Sequence, residues 1–325
     1  MQGSINTGEN ILVSAIIVTH NRLPLLKRAV KSVENQTYDN IELIVVDDAS
    51  DDGTNIYGDE LIKRGYKYLY IDKEHSKGGN HARNVGIKNS TGEYIALLDD
   101  DDYWKSYKTE KQVNYLNEHP EYGMVYSGLD FDYQNKLYNF SVYPNEIFSG
   151  DIVKNKTFWG PFCSTITMMI RRNVLDEVGL FDENLTCWQE YELALRIIQV
   201  TKVGIIKETL SVANRKISAK RATNEFNKWA DSVRYIENKH KRLYSQLDEK
   251  GIQEHKELVY REAAHRASIS LGKRHMKQYY RKAYAIRRKP EYLIRSIFGL
   301  SKNTTLILES IIRHMIVLRN FKRAV

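Results

Sequence analysis

The apolar run Tyr94-Ile-Ala-Leu-Leu98 passes directly into four consecutive aspartates, Asp99 to Asp102. Short, apolar segments of this kind form buried strands. The strand must therefore deliver a block of like charges to one edge of its sheet. Carboxylates in such numbers repel one another, so the edge calls for a cation. Carboxylate oxygens are the preferred ligands of hard divalent ions. A solvated acidic turn is the alternative. The position after a strand end favours a ligand site, because open α/β sheets bind ligands there.

Two more segments repeat the pattern. Leu12-Val-Ser-Ala-Ile-Ile-Val18 reads as a strand ended by Thr19-His-Asn-Arg22, and Pro24 opens a helix in the position proline tolerates. Ile41-Glu-Leu-Ile-Val-Val46 reads as another, ended by Asp47-Asp-Ala-Ser-Asp-Asp-Gly53. A short strand around Tyr68-Leu-Tyr-Ile71 and a helix beginning at Gly78-Gly-Asn-His-Ala-Arg-Asn84 precede the aspartate run. Alternating strands and helices predict a mostly parallel sheet with right-handed crossovers. Thr19-His20-Asn21, Asp47-Asp48 and Asp99 to Asp102 then converge on one edge. Further on, Met124-Val-Tyr126 and Ser164-Thr-Ile-Thr-Met-Met-Ile170 read as strands, and Glu190 to Ile198 as a helix.

These segments resemble the family 2 glycosyltransferases, which use the GT-A fold. The resemblance rests on Ile16 to Arg22, Leu43 to Thr54, Gly78 to Gly86, Ala96 to Trp104 and Trp188 to Arg196, in that order. It implies an inverting, metal-dependent transfer of a sugar from a UDP-sugar to a saccharide or lipid-linked saccharide acceptor. That chemistry belongs to cell-surface polysaccharide synthesis. Thr19, His20 and Asn21 would line the nucleotide pocket, with His20 where the family often has tyrosine. Asp48 would accept the imide N–H of uracil, and Arg83 would bond the base and phosphate region. Asp99-Asp100-Asp101 looks like the DXD motif: Asp99 and Asp100 would reach the ribose or the metal's water, and Asp101 would bind Mn2+ or Mg2+ directly. Asp102 would support them or cap a helix. Glu190 stands where the family has its base, usually an aspartate. Trp188 and Gln189 would contact acceptor or sugar. A Tyr-Arg-x-His segment of the family is replaced here by Ala213-Asn-Arg-Lys-Ile-Ser218, leaving Arg215, Lys216 and Lys220 as candidates for the pyrophosphate.

The 325 residues are 42% hydrophobic and 28% charged, an ordinary globular composition. Two cysteines make no disulfide framework, and the polar first ten residues lack a signal-peptide pattern. No uncharged apolar run reaches the roughly 18 residues of a membrane span. These features predict a cytoplasmic protein. The net charge of +8 is concentrated after Arg215. The expected division is a GT-A domain over 1–221 and a basic helical region over 222–325. Its apolar positions at Leu293, Ile294, Ile297 and Phe298, then from Leu306 to Ile316, interleave with Lys and Arg. That pattern suits a helix lying peripherally on an anionic inner-membrane surface. A structural cap or a homo-oligomer surface is the alternative. No nucleic-acid-binding module is present. The functional alternative is a degenerate, non-catalytic sugar-nucleotide binder recruiting partners at the membrane.

Overall fold

The computed structural model describes residues 11–132, 140–214 and 225–299. The first two stretches belong to one compact unit and the last to another. The expected boundary at 221 lies outside the described residues, as do Arg215, Lys216, Lys220 and the segment from Leu306 to Ile316.

The first unit is built as β1 (Val13–Thr19), α1 (Leu23–Glu34), β2 (Ile41–Asp48), α2 (Thr54–Lys63), β3 (Lys67–Ile71), α3 (Gly79–Lys88) and β4 (Tyr94–Asp99). It continues as β5 (Tyr103–Trp104), α4 (Lys108–Glu118), β6 (Tyr122–Asp132), β7 (Phe140–Val142), β8 (Met168–Arg171), α5 (Arg172–Val178), α6 (Gln189–Ile197) and β9 (Lys202–Asn214). The strands form one sheet in the order β3-β2-β1-β4-β8-β6-β9-β5, with β7 paired to β6.

The order explains where a site can form. From β1 the chain steps to β2 and β3 on one side, then returns through α3 to β4 on the other side of β1. Right-handed crossovers therefore put α3 on the face opposite α1 and α2. The crevice opens at this reversal, between β1 and β4. Register brings the right residues to it: Thr19 lies opposite Asp47, and Val18 opposite Asp99.

Both faces are covered, as parallel sheets require. Ala15 and Ile17 join a core with Leu26, Val30, Tyr57, Leu61 and Leu116. Ile16 and Val46 point the other way, toward α3. The approach there is so close that a Cβ on Gly86 would sit 2.5 Å from Ile16 Cγ2. A larger residue at that position would push the helix off the sheet.

The mostly parallel sheet forms as expected, with β8 running antiparallel to both β4 and β6 within it. One expectation needs correction. The stretch Ser164 to Ile170 is a strand only from Met168. Thr165–Thr167 form a 3-10 turn in which the Thr167 hydroxyl accepts from the Ser164 N–H and donates to the Ser164 carbonyl. Threonine's local hydrogen bonding outcompetes its strand preference here.

The second unit is helical: α7 (Phe226–Lys239), α8 (Lys241–Tyr244), α9 (Glu249–Ser270), α10 (Lys273–Ile286) and α11 (Pro290–Phe298). Ala264, Met276, Tyr280, Ala283 and Tyr292 form its core. No described helix is long and apolar enough to cross a membrane.

Inside the first unit, Lys108 is fully buried. Its ammonium donates to Gln112 Oε1 at 2.5 Å and stands 4.2 Å from the Trp104 ring centre. Burial pulls it down to about 7. An unfolded lysine keeps its proton to about pH 10.4. Between those limits the unfolded chain binds more protons, so stability rises with pH. Lys108→Met removes the buried charge. It is expected to raise stability at pH 7 by about 1 to 3 kcal/mol and to flatten the rise between pH 7 and 9. Urea unfolding at several pH values measures both; an unchanged slope refutes the assignment.

Candidate active site

Six carboxylates, Asp47, Asp48 and Asp99 to Asp102, gather at the ends of β2 and β4, and each is handled differently. Asp47 is fully buried; it accepts from Tyr68 Oη at 2.6 Å and from the Ser50 N–H at 2.9 Å. Asp52 accepts from the Thr54 hydroxyl and from the Leu23 N–H that opens α1. Asp102 is buried and accepts from the Asn214 N–H at the end of β9. It braces the aspartate loop against β9 rather than capping a helix.

Asp100 is 3% exposed. Thr19 Oγ1 donates to it at 2.8 Å and Arg22 at 2.9 Å. Burial raises its pKa to about 6 despite both partners. Thr19, expected on the pocket wall, thus stands behind the aspartate loop. Asp99 takes a hydrogen bond from Arg83 at 2.5 Å, and its side chain remains about one-third exposed. Asp101 keeps a comparable exposure, with Arg22 3.6 Å away and Arg28 donating to its backbone carbonyl.

Asp48 is the exception. One carboxylate oxygen accepts from the Gly78 N–H at 3.1 Å. The other, Oδ1, is buried and has no hydrogen-bond partner. A buried, unsatisfied carboxylate oxygen is costly, so this atom is a candidate to accept a donor from a ligand or from water. His20 lies beside it, with Nδ1 donating to the Asp48 carbonyl at 2.5 Å and Asn21 Nδ2 facing Nε2 at 3.3 Å.

The backbone is strained where these loops turn. Asn21, Ala49 and Trp188 all hold a positive φ, at 53°, 63° and 58°. L-residues pay for that conformation, and such positions concentrate at functional sites. Asn21 is clamped in it: its N–H donates to Ser50 Oγ, and its side-chain oxygen accepts from the Asp51 N–H.

Trp188, Gln189 and Glu190 stand at the start of α6. Trp188 is nearly buried and packs edge-on to Tyr191. Gln189 Oε1 is buried without a partner. Glu190 lies close enough to Cys163 that its charge, after burial itself, pushes that thiol upward. Glu192 faces away, fully buried against Arg196, whose remaining donors go to the carbonyls of Val178, Gly179 and Leu180. Glu192 is thereby committed to anchoring the helix.

Long-range hydrogen bonds tie these segments together, through Arg83 and through residues with no role expected from the sequence. Arg83 bonds Asp99 on one side and Asn80 Oδ1 on the other. Asn80 in turn donates to the Asp182 and Leu185 carbonyls, three residues before Trp188. Asn84 secures Phe181 through its N–H and carbonyl. Arg22 and Arg28 clasp the aspartate loop from α1. The polar face of each helix was visible in the sequence, but its partners lie about 80 to 100 residues away along the chain.

For a divalent cation, Asp99 and Asp101 offer hard oxygen donors with open access, which suits Mg2+ or Mn2+ held by one or two carboxylates plus phosphate and water. Among the described residues no group of three or more His, Cys, Asp or Glu forms a self-sufficient cage.

The chain is similar to known glycosyltransferases in sequence and fold. A 33% identical relative over 204 residues is an uncharacterized glycosyltransferase of Rickettsia typhi, aligned over 61% of this chain and 62% of its own length. A 27% identical relative from Escherichia coli is the UDP-Glc:alpha-D-GlcNAc-diphosphoundecaprenol beta-1,3-glucosyltransferase WfgD, covering 74% of this chain and 92% of that one. The fold is similar to the mannosyltransferase PcManGT of Pyrobaculum calidifontis, solved with GDP-Man and Mn2+, at TM-score 0.58 and 17% identity over 95% of this chain and 88% of that one. It is similar to S. aureus TarS at TM-score 0.56 and 17% identity, over 88% and 48%. The family model "Glycosyl transferase family 2" matches residues 14–179, and with the GT-A fold in place the chain belongs to that family.

Proposed function

We propose that this glycosyltransferase is an inverting enzyme that moves a sugar from a UDP-sugar to a lipid-linked saccharide during cell-surface polysaccharide synthesis. The observation that carries the reading is the buried, unpartnered Asp48 Oδ1 at the end of β2. A carboxylate is an acceptor only. It pairs with the N–H at position 3 of uracil and rejects cytosine, which has none. Guanine also presents a ring N–H; the uridine assignment draws on relatives such as WfgD, whose name gives UDP-Glc as donor. The same name supplies the acceptor class, a saccharide on diphosphoundecaprenol.

Each residue takes one task. Asp48, with His20 and Asn21 beside it, reads the base. Arg83 holds Asp99 at the ribose side. Asp101 would hold Mn2+ or Mg2+, with Asp99 and Asp100 near the ion's water. The ion, when bound, neutralises charge on the departing diphosphate. Glu190 takes the proton from the acceptor hydroxyl as its oxygen attacks the anomeric carbon from the side opposite the leaving nucleotide. Such in-line attack inverts the carbon, so an α-linked donor yields a β product. Trp188 provides an aromatic wall for a sugar ring, and Gln189 a hydrogen-bonding group at its edge.

Three measurements test this. Asp48→Ala is expected to weaken UDP binding by about ten- to a hundredfold, the value of one charge-assisted hydrogen bond. Calorimetry with UDP, CDP and GDP reads it; unchanged UDP affinity, or tighter GDP, overturns the uridine assignment. Glu190→Gln is expected to keep UDP affinity and lower kcat by about 10² to 10⁴. Undiminished transfer removes it as the base. Asp101→Asn is expected to abolish the nucleotide-dependent Mn2+ signal in electron paramagnetic resonance along with turnover. Full turnover in EDTA refutes metal dependence.

A further inference from the structure

The second unit carries a surface that the transfer chemistry does not use. From Gly272 to Pro290 the chain has eight Lys or Arg residues and no Asp or Glu. Two of them serve the unit's own stability. Lys289 pairs with Glu257 at 3.0 Å, and Arg287 with Glu254 and Glu257. Others do not. Arg274, Arg281 and Arg288 are exposed, as is Lys273. None of the four takes part in an ion pair among the described residues. Arg274 and Arg281 are seven residues apart on α10, two turns along one stripe.

Beside this stripe α11 presents an apolar face to solvent. Leu293, Ile294, Ile297 and Phe298 are exposed, Phe298 by 67% and Ile297 by 53%. Their spacing, i, i+1, i+4, i+5, puts them on one side of the helix, while Tyr292, Arg295 and Ser296 are buried on the other. The two features adjoin. Lys277 donates to the Ile297 carbonyl at 2.6 Å, so its ammonium sits at the C-terminal end of α11. A Cβ built on Gly299 would lie 3.7 Å from Lys273 Cδ. Tyr280 and Tyr292 stack between the helices and fix their relation.

We infer that α10 and α11 form a docking face for an anionic lipid surface. Exposed aliphatic and aromatic side chains rimmed by unpaired cations are what an interfacial segment needs: apolar groups enter the acyl boundary while ammonium and guanidinium groups meet phosphates. The charge decides among occupants. A second copy of this face would bring like charge against like charge, and an acyl surface without phosphates would leave the arginines unmatched. The inference is independent of the residues assigned to transfer, and it places the contact on α10 and α11.

The test is co-sedimentation of the full chain with vesicles of phosphatidylglycerol and phosphatidylethanolamine, against vesicles of phosphatidylcholine alone. Binding is expected to the anionic vesicles and to fall sharply at high salt. The triple variant R274Q/R281Q/R288Q and, separately, I297S/F298S are each expected to lower the partition coefficient at least about tenfold. All five side chains are exposed, so circular dichroism and UDP affinity should match the parent. Equal binding to both vesicle types overturns the inference, as does binding that survives both variants. A concentration-dependent dimer that I297S/F298S disperses, with no vesicle binding, overturns it too and gives the face to self-association.

Discussion

Everything at the carboxyl edge of the sheet follows from the repulsion among six aspartates. Parallel pairing of β1 with β2 and β4 leaves no choice about where they end up. The chain resolves the crowding by giving each acid a different environment. Asp47 and Asp102 are absorbed by hydrogen bonds, Asp100 is buried against Thr19 and Arg22, and Asp99 is paired with Arg83. The opposite edge shows what a purely structural carboxylate looks like. Glu42, partly buried, collects hydrogen bonds from Ser14, Thr91, Gly92 and Lys67, and these hold it at about 2. It is saturated. Asp48 is not, and that contrast separates a site from a brace.

The same need for partners couples distant parts of the fold. Arg83 can hold Asp99 only if its own guanidinium is oriented, and Asn80 does this. Asn80 also fixes the loop that leads to Trp188 and Glu190. Helix α3 is consequently a rigid link between the carboxyl edge of the sheet and the start of α6, packed so tightly that Gly86 admits no side chain. Positioning of this kind matters because group transfer requires donor and acceptor to be held in a reactive geometry.

Much of this was legible in the chain. Strands β1, β2 and β4 announce themselves as apolar runs, and polar turns mark their ends, so the converging edge is predictable. Local chemistry hid the rest. Strand β5 is two residues long and exists only because β9 pairs with it. The irregular register of β6 against β9 leaves no periodic trace. Ser164 to Thr167 satisfy their own backbone and so leave the strand early. Arg22, Arg28, Asn80 and Asn84 look like ordinary polar helix residues until their long-range partners appear. Thr19 was expected to face the pocket, but alternation along β1 and the burial of Asp100 turn its hydroxyl to the aspartate loop.

On the proposed reading, charge also dictates how the donor arrives. A diphosphate brought to this edge meets Asp99 and Asp101, whose side chains keep partial exposure. Two like charges 4 Å apart repel by about 4 kcal/mol at an effective dielectric of 20. Arg22 offsets part of this, yet it already serves Asp100 at 2.9 Å and Asp101 at 3.6 Å. Moving it to a phosphate would expose the buried Asp100 charge. A divalent ion held by Asp99 and Asp101 would supply positive charge at this edge without that loss. Cation and donor affinity are then one linked quantity: each must strengthen the other by the same factor. The four aspartates and the arginine beside them thus make a weak site for either ligand alone and a stronger one for the pair.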